Sequence, residues 1–142
     1  MVRINEHTCH SAEQTINFGY DFGRQLSPGS IVCLFGDLGS GKTTFIKGLA
    51  SSVADVDIQQ VCSPTFVYLN IYQGRKTVYH FDLYRLKNAD EFLSMGFDDM
   101  LFTDGICCIE WSERIESLLP PHCIHITLGH VDENTRSIRI ES

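Results

Sequence analysis

The chain has 142 residues, 43% hydrophobic and 20% charged, with a formal net charge of −7; that length fits a single domain and that composition an ordinary water-soluble fold. The acidic balance excludes a protein that holds nucleic acid unaided, because such affinity rests on Lys and Arg neutralising phosphates, and the 11 basic residues form no run. No apolar stretch nears the roughly 20 residues of a membrane-spanning helix, and residues 1–6 lack the features of a secretion signal, so the expected location is the cytoplasm.

In chain order, residues 1–8 read as a short strand. Ser11, Ala12, Glu13 and Gln14 then match a capping box, in which the Ser and Gln side chains satisfy free amides at a helix start. Ala12, Ile16, Gly19, Phe22 and Leu26 recur at helical spacing, and Pro28-Gly29 ends the helix. Residues 31–35 are a continuous apolar run, which demands cover on both faces and so a central place in an α/β sheet.

That strand runs straight into Gly36, Asp37, Leu38, Gly39, Ser40, Gly41, Lys42 and Thr43, followed by Thr44. The pattern GxxxxGK[ST] is a phosphate-binding loop: its glycines let backbone amides turn inward as an anion nest, and the following helix adds the positive end of its dipole. Lys42 carries a point charge to the β and γ phosphates, and the Thr43 hydroxyl is a hard oxygen ligand suited to Mg2+. Asp37 contributes its backbone amide rather than its side chain, since a carboxylate aimed at phosphates would repel them. Phe45, Ile46, Leu49, Ala50 and Val53 share one helical stripe, so residues 42–53 pack back on the sheet.

Residues 66–72 and 77–82 are aromatic and β-branched strands flanking a turn at 73–76, which predicts a hairpin and hence a mixed sheet. Asn88 or Asp90 caps a helix whose Leu93, Phe97, Met100 and Leu101 share a face. Residues 106–109 form a second buried strand, ending at Glu110-Trp111; a short helix capped by Ser112 runs to Pro120-Pro121. Residues 123–128 and 136–140 close the chain as an antiparallel hairpin around the turn at 132–135.

A nucleotide site needs a carboxylate at the tip of a neighbouring strand, to hold the metal or orient water. Glu110 and Asp82 both end apolar strands at the carboxyl edge, where α/β ligands sit. Strand position alone does not separate either from a solvated acid, and Glu110 is the preferred metal ligand. His122, Cys123 and His125 make a poor zinc set, because His122 and His125 face opposite sides of a strand. The six cysteines lack the spacing of a disulfide framework and read as small buried hydrophobes.

The segments GDLGSGKTTFIKGLA, SPTF, YHFDLYRL and IEWSERI, in that order, resemble the bacterial TsaE-type ATPases of tRNA threonylcarbamoyladenosine synthesis over nearly the whole chain. The resemblance implies one P-loop domain over residues 1–142: an α/β fold with a mixed, mostly parallel central sheet flanked by helices, a β-hairpin after the P-loop helix and a C-terminal antiparallel hairpin. It implies ATP and Mg2+ as cofactors, with Glu110 beside Thr43 as second metal ligand, Asp82 as the acid that orients or activates water, and Thr65 as a sensor of the γ-phosphate. It further implies action with TsaB-like and TsaD-like subunits, the latter carrying the transferase site, with tRNA reached only through that complex. Ser40 stands where many relatives have Ala, which leaves the loop amides untouched. A small-molecule kinase and a nucleotide-dependent binding module are the rival readings; the first would want arginines over the phosphates, and Arg75, Arg85, Arg114, Arg136 and Arg139 form no lid-like cluster in the sequence.

Overall fold

The computed structural model describes residues 3–37 and 39–142; Leu38 and the first two residues of the expected N-terminal strand lie outside them. Seven strands form one sheet: β1 (Ile4–Cys9), β2 (Ile31–Phe35), β3 (Leu69–Tyr72), β4 (Val78–Asp82), β5 (Ile106–Glu110), β6 (Ile124–His130) and β7 (Arg136–Glu141). Their order is β1-β7-β6-β2-β5-β4-β3. The central strands β6, β2, β5 and β4 run parallel to one another, and the antiparallel pairs β6/β7, β7/β1 and β3/β4 finish the two sides. The mixed sheet with a parallel centre and two hairpins matches the architecture expected from the sequence. Among the described residues no helix is long and apolar enough to cross a membrane.

The period of two along each strand sorts side chains to opposite faces. Val32, Leu34, Val78, Ile106, Cys108, Ile126 and Ile138 share one core with α1 (Ala12–Arg24) and α2 (Lys42–Ala54). Ile31, Cys33, Phe81, Cys107 and Ile109 share the other with Phe92 of α3 (Ala89–Ser94) and with Leu101 and Ile115 from short 3-10 segments. The strand β2 is buried on both sides, which is why its sequence is an unbroken apolar run.

Ser11 caps α1 by accepting from the Gln14 amide at 3.0 Å, and the Gln14 side chain accepts in turn from the His10 amide at 2.7 Å. The reciprocal cap expected from the sequence therefore forms, reaching one residue further back. Where α1 and α2 cross, Gly19 and Gly48 bring backbone against backbone: a β-carbon at Gly48 would run into the Ile16 carbonyl, and one at Gly19 into that of Phe45. These glycines are required by contact distance rather than by φ.

Four expectations shift. The strand expected over residues 66–72 is confined to Leu69–Tyr72, because residues 65–67 form a turn and Tyr68 takes left-handed backbone at φ 67°. The single helix expected after residue 88 is broken: Asn88 caps α3 through the Glu91 amide, and Gly96 at φ 75° then turns the chain into a 3-10 segment at Phe97–Phe102. Apolar spacing continues across the break because both pieces cover the same sheet face. The segment after β5 is also 3-10, and Trp111 rather than Ser112 occupies its cap, at φ 62°. Cys62 is exposed, unlike buried Cys9, Cys33, Cys107 and Cys108.

Gly48→Ala is expected to destabilise the fold by about 1–3 kcal/mol, the usual cost of overpacking a rigid contact, read as a lowered urea midpoint with unchanged slope. Burial holds Cys33 and Cys107 as neutral thiols up to about 12, against an ordinary 9.0. Since the thiolate is the nucleophile, iodoacetamide at about pH 8 should label Cys62 in the native chain and Cys33, Cys107 and Cys108 only after unfolding, as peptide mass mapping would show.

Candidate functional site

The loop after β2 is built by backbone conformations that side chains resist. Gly36 stands at φ 144°, where a β-carbon would meet the Leu128 carbonyl oxygen and the Ser40 hydroxyl, each at 2.5 Å; Gly41 is the N-cap of α2 at φ 101°. The turn is closed by the Ser40 amide donating to the Asp37 carbonyl at 3.0 Å and the Phe45 amide to Gly41 at 2.9 Å. The Lys42 ammonium folds back to donate to the Gly36 carbonyl at 2.6 Å. Ser40 is buried, and among the described residues its hydroxyl has no hydrogen-bond partner.

A cleft of about 640 Å3 opens over this loop. Gly39, Gly41, Lys42, Thr43 and Thr44 line it from the glycine loop and α2, Asp82, Glu110 and Trp111 from the neighbouring strand ends, and Thr65 from the loop that precedes β3. Of the remaining loop residues, Asp37 is exposed and Ser40 buried, and neither they nor Gly36 belong to the cleft lining. The expected position of Leu38 lies outside the described residues.

Sheet register explains why the two acids arrive together. Glu110 pairs with Leu34 of β2 on one side and with Asp82 of β4 on the other. The last residue of β5 therefore sits between the strand that launches the loop and the strand that ends in Asp82. Asp82 and Glu110 are only 6% and 5% exposed, and each is held by hydrogen bonds. Asp82 Oδ2 accepts from Ser63 Oγ at 2.7 Å and from Thr65 Oγ1 at 3.3 Å, while its Oδ1 accepts from the Tyr84 amide at 3.1 Å. Glu110 Oε2 lies 2.8 Å from His80 Nε2.

Both bulky residues around the site adopt left-handed backbone that such side chains seldom take: Trp111 at φ 62° and Tyr68 at φ 67°. Trp111 turns out of β5 immediately after Glu110. Its ring lies 5.1 Å from that of Tyr84 and 5.6 Å from the Lys42 ammonium, close enough for a cation–π contact. The Tyr68 carbonyl accepts from the Asp82 amide at 3.0 Å, which ties the loop at 62–68 to the end of β4. Strain at both points is sustained by packing around the carboxyl edge.

Several lining residues escaped the sequence reading. Ser63 is the first residue of SPTF, and its hydroxyl makes the shortest hydrogen bond to Asp82. The turn between β6 and β7 brings Glu133, Asn134 and Arg136 to the cleft, which Ala12 and Thr15 of α1 also line. Arg136, one arginine among a scattered five in the sequence, donates from Nε to the Gly39 carbonyl at 3.2 Å and from Nη1 to Asp132, Glu133 and Thr135 carbonyls at 2.7, 3.3 and 3.0 Å. It fastens the C-terminal turn to the phosphate loop. No local pattern announces a contact spanning 97 residues.

Chemically, the cleft offers a divalent ion the Thr43 hydroxyl and one or two carboxylates. Among the described residues no three His, Cys, Asp or Glu side chains gather into a cage. That donor set suits Mg2+, which keeps several waters and takes its other ligands from phosphate oxygens.

The chain matches the family described as "Threonylcarbamoyl adenosine biosynthesis protein TsaE" over residues 9–138. It is 40% identical over 130 residues to the tRNA threonylcarbamoyladenosine biosynthesis protein TsaE of Treponema pallidum, covering 92% of this chain and 95% of that one. It is likewise 40% identical over 131 residues to the TsaE of Rickettsia prowazekii, covering 92% and 90%. The crystal structure of Bacillus subtilis YdiB superposes with a TM-score of 0.78 at 28% identity, over 100% of this chain and 87% of that one. The phosphate loop, the two strand-end acids and the hairpin turn locked over them thus belong to a member of the TsaE family of threonylcarbamoyl adenosine biosynthesis proteins.

Proposed function

We propose that the chain binds and hydrolyses ATP with Mg2+, and that this ATPase serves the threonylcarbamoyl modification of the adenosine beside the anticodon of tRNA, in complex with TsaB-like and TsaD-like subunits. The observation that carries the reading is the convergence of the glycine loop, Thr43, Glu110 and Asp82 on one cleft. The relatives' names supply the pathway, and the net charge of −7 suits a subunit that reaches tRNA through others.

Within the cleft, the loop amides and the α2 N-terminus cradle phosphate oxygens, and Lys42 moves from the Gly36 carbonyl to the phosphates it neutralises. Thr43 and Glu110 would hold the metal ion, which would draw negative charge from the phosphate oxygens and so ease departure of the diphosphate leaving group. Asp82 positions the attacking water; Ser63 and Thr65 hold its Oδ2 in the meantime. Attack on the γ-phosphorus breaks the bond to the β-phosphate oxygen and yields ADP and inorganic phosphate.

A switch reading, in which the bound nucleotide sets affinity for a partner, is favoured by one observation. The loop that carries Thr65 also exposes Phe66 at 79% and Val67 at 62%, so the segment beside the acids presents apolar side chains outward. Affinity for the TsaB–TsaD pair measured with ATP, ADP and a non-hydrolysable analogue separates the two, because a pure ATPase role predicts no dependence on the nucleotide.

Lys42→Ala is expected to abolish the nucleotide-induced change in fluorescence of the chain's single tryptophan, whose ring lies near that ammonium. Asp82→Asn should retain that change while losing about 100-fold or more in phosphate release; undiminished release would remove Asp82 from the chemistry. Mixed with its two partner subunits, the wild-type chain should raise tRNA modification turnover only when ATP is hydrolysed. Equal turnover without the chain, or with Lys42→Ala in its place, would sink the proposed role.

A further inference from the structure

A fully buried histidine lies under the two acids. His80 is the middle residue of β4, has no exposed surface, and shares the α1/α2 face of the sheet with Val78 and Asp82. Its Cα partner on β5 is Cys108, one alternation below Glu110. An apolar side chain would fill this place without desolvating two ring nitrogens. Among the described residues the histidine instead leaves Nδ1 with no partner and makes one side-chain hydrogen bond, 2.8 Å from Nε2 to Glu110 Oε2. With Glu110 as a carboxylate, which cannot donate, the proton of this bond belongs to Nε2.

The two acids are therefore held in different ways. Asp82 takes its hydroxyl donors from Ser63 and Thr65, in the loop at 62–68, outside the regular strands. Glu110 takes its donor from the middle of β4, a strand hydrogen-bonded to neighbours on both sides. A glutamate also has the longer side chain and the more rotamers to lose. Its Oε2 is fixed by His80, and its Oε1 makes no hydrogen bond among the described residues.

We propose that His80 is a positioning residue for the metal site: from inside the sheet it pins one oxygen of Glu110, so that the other is presented to the divalent ion of a metal–nucleotide complex. This rests on the reading of the cleft as a Mg·nucleotide site and adds to it a residue that touches neither metal nor nucleotide. Outer partners of metal ligands fix ligand orientation, and their loss typically costs 10–100-fold in metal affinity.

The test is a Mg2+ titration of ADP binding, read by tryptophan fluorescence, in His80→Phe and His80→Gln. The phenylalanine keeps the ring volume without a donor, whereas glutamine can place an amide near the Nε2 position. Expected are an apparent Mg2+ affinity about 10–100-fold weaker in His80→Phe, ADP affinity in EDTA unchanged, and recovery of most of the loss in His80→Gln. In a Glu110→Gln background, His80→Phe should add nothing further. Wild-type Mg2+ dependence in His80→Phe, or an added loss on top of Glu110→Gln, overturns the positioning role. Should His80→Phe fail to fold, the wild-type chain decides by NMR: the Nε2 proton of His80 should stay slowly exchanging and hydrogen-bonded when Mg·ADP is added, and its loss on metal binding overturns the proposal. Wild-type protein that binds ADP without any Mg2+ dependence would overturn the reading of the site itself, a result distinct from an insensitive His80 variant.

Discussion

The register of β5 between β2 and β4 is the constraint on which the rest depends. Parallel pairing sets Leu34, Glu110 and Asp82 side by side at the carboxyl edge, with neighbouring strands about 4.8 Å apart. The glycine loop leaves from one of these strands and the acids cap the other two. A slip of one residue in β5 would turn Glu110 to the opposite face and bury Ile109 against α2. The apolar alternation along Ile106–Glu110, with Ile106 and Cys108 in one core and Cys107 and Ile109 in the other, opposes that slip. Hydrophobic sorting thus fixes the placement of a charged group.

Around this edge, chain segments far apart in sequence are tied by short polar contacts. Ser63 and Thr65 reach Asp82 from the loop after α2, His80 reaches Glu110 from within β4, and Arg136 reaches Gly39 from the last hairpin. Each acid is partnered despite its burial, as a buried carboxylate must be. Trp111 and Tyr68, both in left-handed backbone, mark where the chain leaves the sheet with a bulky side chain kept beside the cleft. The site is a set of strand ends and turns fastened across the sheet, with Ser63 and Thr65 on a loop and His80, Asp82 and Glu110 on strands.

The phosphate loop was legible because its conformation can be met by few residue types: Gly36 and Gly41 need positive φ, and the lysine and threonine have fixed positions beside them. The parallel centre of the sheet was legible from unbroken apolar runs, and the two hairpins from polar turns between alternating segments. Glu110 and Asp82 could be picked out only as strand-end acids, and register supplied the rest. The contacts of Ser63, His80 and Arg136 left no local signal, since each joins residues 19 to 97 positions apart. The break at Gly96 was hidden for the opposite reason: both pieces pack on the same face, so the apolar period runs through it. Nothing in the sequence marks Trp111 for left-handed backbone.

The glycine crossing of α1 over α2 has a mechanical consequence. Gly19 and Gly48 bring the two backbones into direct contact at the crossing, with the Phe18, Phe22 and Phe45 rings packed beside it. Close-packed contact of this kind leaves little room for one helix to slide on the other. One helix starts at Lys42 beside the glycine loop and the other carries Ala12 and Thr15 of the cleft lining, so the crossing sets the spacing between those two parts of the cleft.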